Sequence, residues 1–320
     1  MDSLLEMKDL CVAFGDKNNQ VQVINHLNLK LEKGKTLGLV GESGSGKSVT
    51  SLSIMRLHDE STTHMSGEIL FDGKNILSMT EKEMQDIRGN KISMIFQEPM
   101  TALNPIQTCG KQIMESVRLH EKVSSKEAKE RGLEMLRLCG IPAPEHRMNE
   151  YPHQMSGGMR QRIMIAIALI CNPNLLIADE PTTALDVTIQ AQILDLINNL
   201  KKKLGTSIIM ITHDMGIVAE CCDEVAVMYA GEVVEQGKVQ QIFSHPHHPY
   251  TKGLLNSIPK LEGNGDRMEV IPGMVPNINR MPEGCRFHPR CKYADELCEK
   301  QKPQLAEVED GCCIRCHHMC

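Results

Sequence analysis

Tryptophan is missing from the 320 residues, and only four tyrosines and five phenylalanines occur, so any core must be built from Ile, Leu, Val, Met and Ala. No apolar run reaches the roughly 18–20 residues that a helix needs to cross a bilayer. The first residues, MDSLLEMKDL, carry acidic charge where a secretory leader carries basic charge, so the protein is expected to stay in the cytoplasm. Basic blocks are lacking too. The 35 Lys and Arg are scattered among 41 Asp and Glu, for a formal net charge of −6, which argues against a chain that wraps nucleic acid by neutralising its phosphates. Neither an internal repeat nor a low-complexity tract is evident. The length suits one large α/β domain with an appendix, since domains commonly run to about 100–200 residues. The 13 cysteines would suggest disulfides in a secreted chain; in a reducing compartment metal ligation or plain burial explains them better.

Along the chain, β-like runs come first: LLEMKDLCVAF, QVQVINHLNLKLEKG and the buried-strand pattern KTLGLV. A Gly-rich stretch and a helical SVTSLSIMRL follow, then β-like runs around GEILFDGKNI and KISMIFQ. From about 100 to 160 the periodicity becomes helical, which predicts an inserted helical subdomain. Strand and helix then alternate through NLLIADE, TIQAQILDLINNLKKKL, SIIMITHD, GIVAECC and EVAVMYAG, the signature of a mostly parallel sheet. Beyond about residue 245 the chain is rich in Pro, Gly, His and Cys and shows no long periodic segment, so we divide it into a domain at 1–245 and a C-terminal extension at 246–320.

Chemistry concentrates in a few places. Gly41, Glu42, Ser43, Gly44, Ser45, Gly46, Lys47 and Ser48, with Val49 next, match the P-loop pattern and sit between a buried strand and a helix. Glycines let successive N–H groups face phosphates, and the helix that follows points its positive end at them. Lys47 offers a point charge to the terminal phosphates of ATP and Ser48 a hydroxyl to Mg²⁺. Four apolar residues then lead into Asp179 and Glu180, as where a buried strand reaches its carboxyl end. There Asp179 can hold the Mg²⁺ shell, and Glu180 can orient or deprotonate the water that attacks the γ-phosphate. Ser156, Gly157 and Gly158 open a second anion-binding helix, one more than a single phosphate chain needs. The excess points to a head-to-tail dimer in which each Ser-Gly-Gly turn closes over the partner's ATP.

Here the residues resemble the ABC ATPase family, a P-loop NTPase (RecA-like) fold with an antiparallel β subdomain and an inserted α-helical one. The family signature usually reads Leu-Ser-Gly-Gly-Gln; Met155 and Met159 replace its outer positions and leave Ser-Gly-Gly intact. Gln97 resembles the Q-loop glutamine and Mg²⁺ ligand, Ala184-Leu185-Asp186 the D-loop, with Asp186 near the partner's ATP, and His213 the switch histidine that contacts the γ-phosphate. Phe14 sits where the family's A-loop aromatic stacks on adenine; strand aromatics are also commonly core residues.

Three further stretches, Gln97 to Pro105, His248 to Leu255 and Gly284 to Cys291, resemble the oligopeptide/dipeptide importer branch, which includes nickel importers. That resemblance implies an ATPase on the cytoplasmic face of the membrane with a second, different ATPase subunit, two permease subunits and an extracytoplasmic substrate-binding protein. The expected cargo is di- or oligopeptide. The alternatives are nickel or a metal chelate within the branch, and, in a different class, a soluble ABC ATPase acting on nucleic acid. Seven cysteines follow Gly284, a density that suits thiolate ligation of zinc or an iron–sulfur cluster, with reduced unliganded thiols as the third reading. The resemblance implies a [4Fe–4S] cluster on Cys285, Cys291, Cys298 and Cys316, with Cys312, Cys313 and Cys320 competing for the fourth place. The histidines between His245 and Pro249 could bind nickel or copper, but in a Pro-rich turn they are expected to be merely exposed.

Overall fold

The computed structural model describes residues 3–16, 19–183, 185–257, 271–309 and 311–318. The chain forms two compact units, one from residues 1–77 and 210–320, the other from residues 78–209.

In the first unit, strands β1 (Ser3–Asp16) and β2 (Asn19–Glu32) pair antiparallel. Leu27, Leu29 and Leu31 of β2 are buried while Asn28 and Lys30 face out, the period-2 alternation of a half-buried sheet. Strand β3 (Thr36–Val40) is buried throughout, as a strand covered on both faces must be. The helix Lys47–Met55 follows it across the Gly-rich loop. Strands β4 (Thr63–Phe71) and β5 (Lys74–Asn75) complete a four-stranded sheet in the order β2-β1-β4-β5.

The second unit carries β6 (Ile92–Ile95) and β7 (Leu175–Asp179), paired parallel, both buried along their length. Between them lie the helices Cys109–His120 and Ser125–Leu138, each started by a hydroxyl cap: Thr108 accepts from the Lys111 N–H and Ser124 from the Glu127 N–H. This is the helical insertion expected from the periodicity. Helix Gly157–Leu169 leads into β7, and helix Val187–Leu204 ends at Gly205, whose φ of 71° suits only the left-handed cap. Strand β8 (Ser207–Thr212) carries the chain back to the first unit.

There β9 (Glu224–Tyr229) pairs parallel with β3 and antiparallel with β10 (Glu232–Lys238). The sheet does not stop at residue 245. Strand β11 (Ala306–Glu309) pairs antiparallel with β12 (Cys312–Ile314), and β12 with β10. Tyr250, Phe287 and Cys312 share one buried cluster with Val40, Val225 and Val227, so the extension is packed into the core of this unit. No described helix is long and apolar enough to cross a membrane.

Candidate functional site

In the first unit the P-loop curls as its sequence demands. Gly41, Gly44 and Gly46 have φ values of 153°, 79° and 102°, and a Cβ on Gly41 would lie 2.2 Å from the Met228 carbonyl oxygen. Lys47, 6 % exposed, turns its ammonium into the curve and donates to the carbonyls of Gly41 at 2.7 Å and Glu42 at 3.1 Å. Ser48 is exposed at the start of the helix, and Ser43 and Gly44 are exposed at the loop's tip. The Ser45 hydroxyl is buried without a hydrogen-bond partner, while its carbonyl accepts from the Gly231 N–H at 2.9 Å. Val49 lies half-buried one residue into the helix.

Two more residues singled out above belong to this unit. Phe14 is half-buried on β1, its ring edge-on to the His58 imidazole at 5.2 Å between centroids. His213 is exposed just past the end of β8.

The second unit holds the carboxylates. Asp179, 6 % exposed, ends β7, and Glu180 follows it with a φ of 45°. That left-handed backbone costs a non-glycine residue about 1 kcal/mol and aims the side chain away from the strand's line. Two donors converge on one oxygen of Glu180: the Gln97 amide at 2.8 Å and the Thr183 hydroxyl at 2.9 Å. The structure thus brings together the glutamine and the glutamate that the motifs only placed in order. Ser156 caps the helix Gly157–Leu169 by accepting from the Met159 N–H, and Ser156 and Gly157 are exposed with open space where a Cβ on Gly157 would be. Gly158 is half-buried, its Cα facing Ile189. Asp186 caps the helix Val187–Leu204 through the Ile189 N–H at 3.0 Å. Of the D-loop, Ala184 lies outside the described residues.

Sequence reasoning passed over Gln161. It is 2 % exposed and donates to the carbonyl of Pro181, so the helix that opens with Ser-Gly-Gly is tied to the turn that follows Glu180. Only its place one turn into that helix could have hinted at this.

The C-terminal cysteines gather in part. The Cys285 N–H donates to the Cys298 carbonyl at 2.8 Å. Burial, with the neighbouring Cys298 and Cys291 thiols, pushes the Cys285 thiol up to about 11, and burial also raises Cys298. Cys316 directs its thiol to the His318 carbonyl at 2.7 Å. Asp295, Cys298 and His318 form a second potential ligand group, and a Cys298 N–H donated to Asp295 holds that carboxyl down at about 2. Cys312 is buried beside β10, Cys313 is half-buried, and Cys320 lies outside the described residues. Elsewhere, Cys109 and Cys139 are desolvated thiols pushed up to about 11 and about 12, which is the plain burial expected of part of the set. One expectation fails: His248 is 1 % exposed, capping the helix Pro249–Asn256 by accepting from the Tyr250 N–H, while Glu235 receives its backbone N–H.

Comparison with known proteins shows the family. The ABC transporter family model matches residues 24–183, and the model for the oligopeptide/dipeptide transporter C-terminal region matches residues 234–298. The oligopeptide transport ATP-binding protein OppD of Bacillus subtilis is 55 % identical over 309 residues, covering 96 % of this chain and 86 % of that protein. Its namesake from Salmonella typhimurium is 51 % identical over 94 % of this chain and 89 % of its own length. Among solved structures, a dimeric ATP-binding cassette in a post-hydrolysis state with ADP and Pi superposes with a TM-score of 0.65 at 27 % identity, over 73 % of this chain and 98 % of that one.

Proposed function

The chain belongs to the ATP-binding subunits of the ABC transporter family, in its oligopeptide-importer branch, and from that membership we propose how its residues bind and hydrolyse ATP to drive uptake of di- and oligopeptides. The observation that carries the reading is the Glu180 carboxylate at the end of β7, held by Gln97 and Thr183; in the other unit the P-loop curls around the buried Lys47.

Lys47 and the loop N–H groups take the phosphates of ATP, with Phe14 stacking on adenine. Ser48 of the P-loop and, in the second unit, Gln97 and Asp179 carry oxygen donors of the kind a hard cation takes, and Mg²⁺ held by them would neutralise phosphate charge. Glu180 orients the attacking water and accepts its proton, since phosphoryl transfer asks a protein mainly for positioning and charge. His213 contacts the γ-phosphate. The exposed Ser156 and Gly157, with Gly158 and Asp186, face the ATP of a partner ATPase subunit, so that ATP closes the dimer and hydrolysis reopens it.

The partners in this reading are a second, different ATPase subunit, two permeases and an extracytoplasmic binding protein, with the chain at the cytoplasmic face. Cys285, Cys291 and Cys298, neighbouring thiols that raise one another's pKa, are the three ligands we assign to a [4Fe–4S] cluster, and Cys316, whose thiol meets the His318 carbonyl, is the fourth by its place in the motif. Such a cluster would supply a redox-responsive staple across the extension; Cys285→Ser should then lower the iron and acid-labile sulfide bound per chain. Membrane fractionation tests the assembly. The chain should sediment with membranes and co-purify with permeases after detergent extraction; recovery with nucleic acid instead would overturn it.

A further inference from the structure

Residues from beyond position 245 reach the P-loop itself, within one compact unit. Arg290, 7 % exposed, forms a forked pair with the Glu42 carboxylate, at 2.6 Å to one oxygen and 3.0 Å to the other. The fork is fixed from behind: Arg290 Nε donates to the Pro272 carbonyl at 2.8 Å, and its guanidinium lies over the Tyr229 ring, 5.7 Å from the centroid. The backbone of Glu42 is held as well, its N–H donating to the Tyr250 hydroxyl at 2.8 Å. Tyr250 is fully buried, packed against Tyr229 at 4.7 Å and Phe287 at 5.4 Å between ring centroids. A second arm comes from the same short segment. Arg286 donates to the Ala230 carbonyl and pairs with Glu232, and Gly231 between those two residues donates its N–H to the Ser45 carbonyl.

Arg290 therefore holds the loop directly at Glu42, and Arg286 braces the Ala230–Glu232 turn whose Gly231 N–H meets the loop at Ser45; both arginines stand between Cys285 and Cys291. Nothing in the P-loop pattern requires a carboxylate at Glu42, and its two oxygens point to Arg290 rather than along the loop. A bidentate charge-assisted pair with a buried guanidinium fixes direction as well as distance. Holding the N–H of Glu42 fixes the Gly41–Glu42 peptide, whose Gly41 carbonyl receives Lys47 at 2.7 Å.

We propose that Arg290 and Tyr250 are positioning residues for ATP binding: a clamp from the C-terminal extension that holds Glu42, and through it the P-loop and Lys47, in the shape that accepts phosphates. The proposal rests on ATP occupying the P-loop. It makes nucleotide affinity depend on a segment bounded by two thiols and lying more than 240 positions away in the sequence.

The test is equilibrium binding of a fluorescent ATP analogue to the full chain carrying Arg290→Gln, Glu42→Gln, both together, or Arg290→Lys. Each single glutamine variant should bind about tenfold more weakly, equivalent to ~1.4 kcal/mol, and the double variant no more weakly than either single one. Arg290→Lys should recover part of the loss, because charge remains and the fork does not. In steady-state hydrolysis the ATP KM should rise while kcat holds, since the clamp shapes binding and not the attack on phosphate. Glu42 is half-exposed, so its variant serves where Arg290→Gln folds poorly. Unchanged affinity in Glu42→Gln, or losses that add in the double variant, would overturn the clamp. Failure of the unaltered chain to bind the analogue would instead overturn the ATP reading on which it rests.

Discussion

Replacing Glu180 by Gln removes one negative charge and almost no volume. Two groups that hold this side chain, the Gln97 amide and the Thr183 hydroxyl, donate to a single oxygen, which the glutamine carbonyl can supply in turn. The left-handed backbone at Glu180 is set by the turn after β7 and does not depend on the charge. Local structure should therefore survive, and ATP affinity with it. What is lost is the base that takes the proton from water. General-base catalysis is worth about 10²–10⁴ in rate, or ~2.7–5.4 kcal/mol of barrier, so kcat for ATP hydrolysis should fall by that factor while analogue binding stays near its original value. Phosphate release under saturating ATP, beside equilibrium binding on the same preparation, measures both quantities. A variant that hydrolyses ATP at the original rate would refute the assignment; one that loses binding and rate together would show that Glu180 shapes the nucleotide pocket and does not act as the base.

Gln161→Ala should destabilise the chain by ~1–3 kcal/mol, because it leaves the buried Pro181 carbonyl unpaired, and should slow hydrolysis by loosening the turn after Glu180; thermal unfolding and kcat measured together check both effects. His248 gives a pH signature. Burial lowers its pKa from 6.5 to about 3, so below pH 6.5 the unfolded chain takes up a proton that the folded imidazole refuses. Stability should fall as the pH drops from about 6.5 toward 3, with a contribution of up to ~1.4 kcal/mol per pH unit. The neighbouring Glu235, whose carboxyl burial pushes up, acts in the opposite sense, so the comparison with His248→Asn in denaturant titrations isolates the histidine: the variant should lose that part of the acid slope.

The nucleotide elements were legible because each motif comes with its flanks. A P-loop after five buried residues and before a helix has few other uses, and the run ending at Asp179 could only be a covered strand. The pairing of Gln97 with Glu180 could be ordered along the chain but not measured, since the two lie 83 positions apart. The region after residue 245 resisted for a different reason. Strands β11 and β12 have four and three residues, too few to show a period, and they form by adding to β10 at the edge of an existing sheet. Helix Pro249–Asn256 begins on a proline inside a run of prolines and histidines that reads as loop, and its stability comes from burying Tyr250 against Tyr229 and Phe287. A histidine such as His248 looks exposed by composition, and only tertiary packing desolvates it. Glu42 and Arg290 each stand inside a recognised stretch, but nothing in the sequence pairs them until the fold brings them together.

The central claim is that ATP bound by this chain drives peptide uptake, and Lys47→Ala tests it most directly. Labelled di- and oligopeptides should be taken up by cells carrying the unaltered chain and excluded from cells carrying the variant, while labelled nickel enters both alike. Peptide uptake that persists undiminished in the variant would contradict the account.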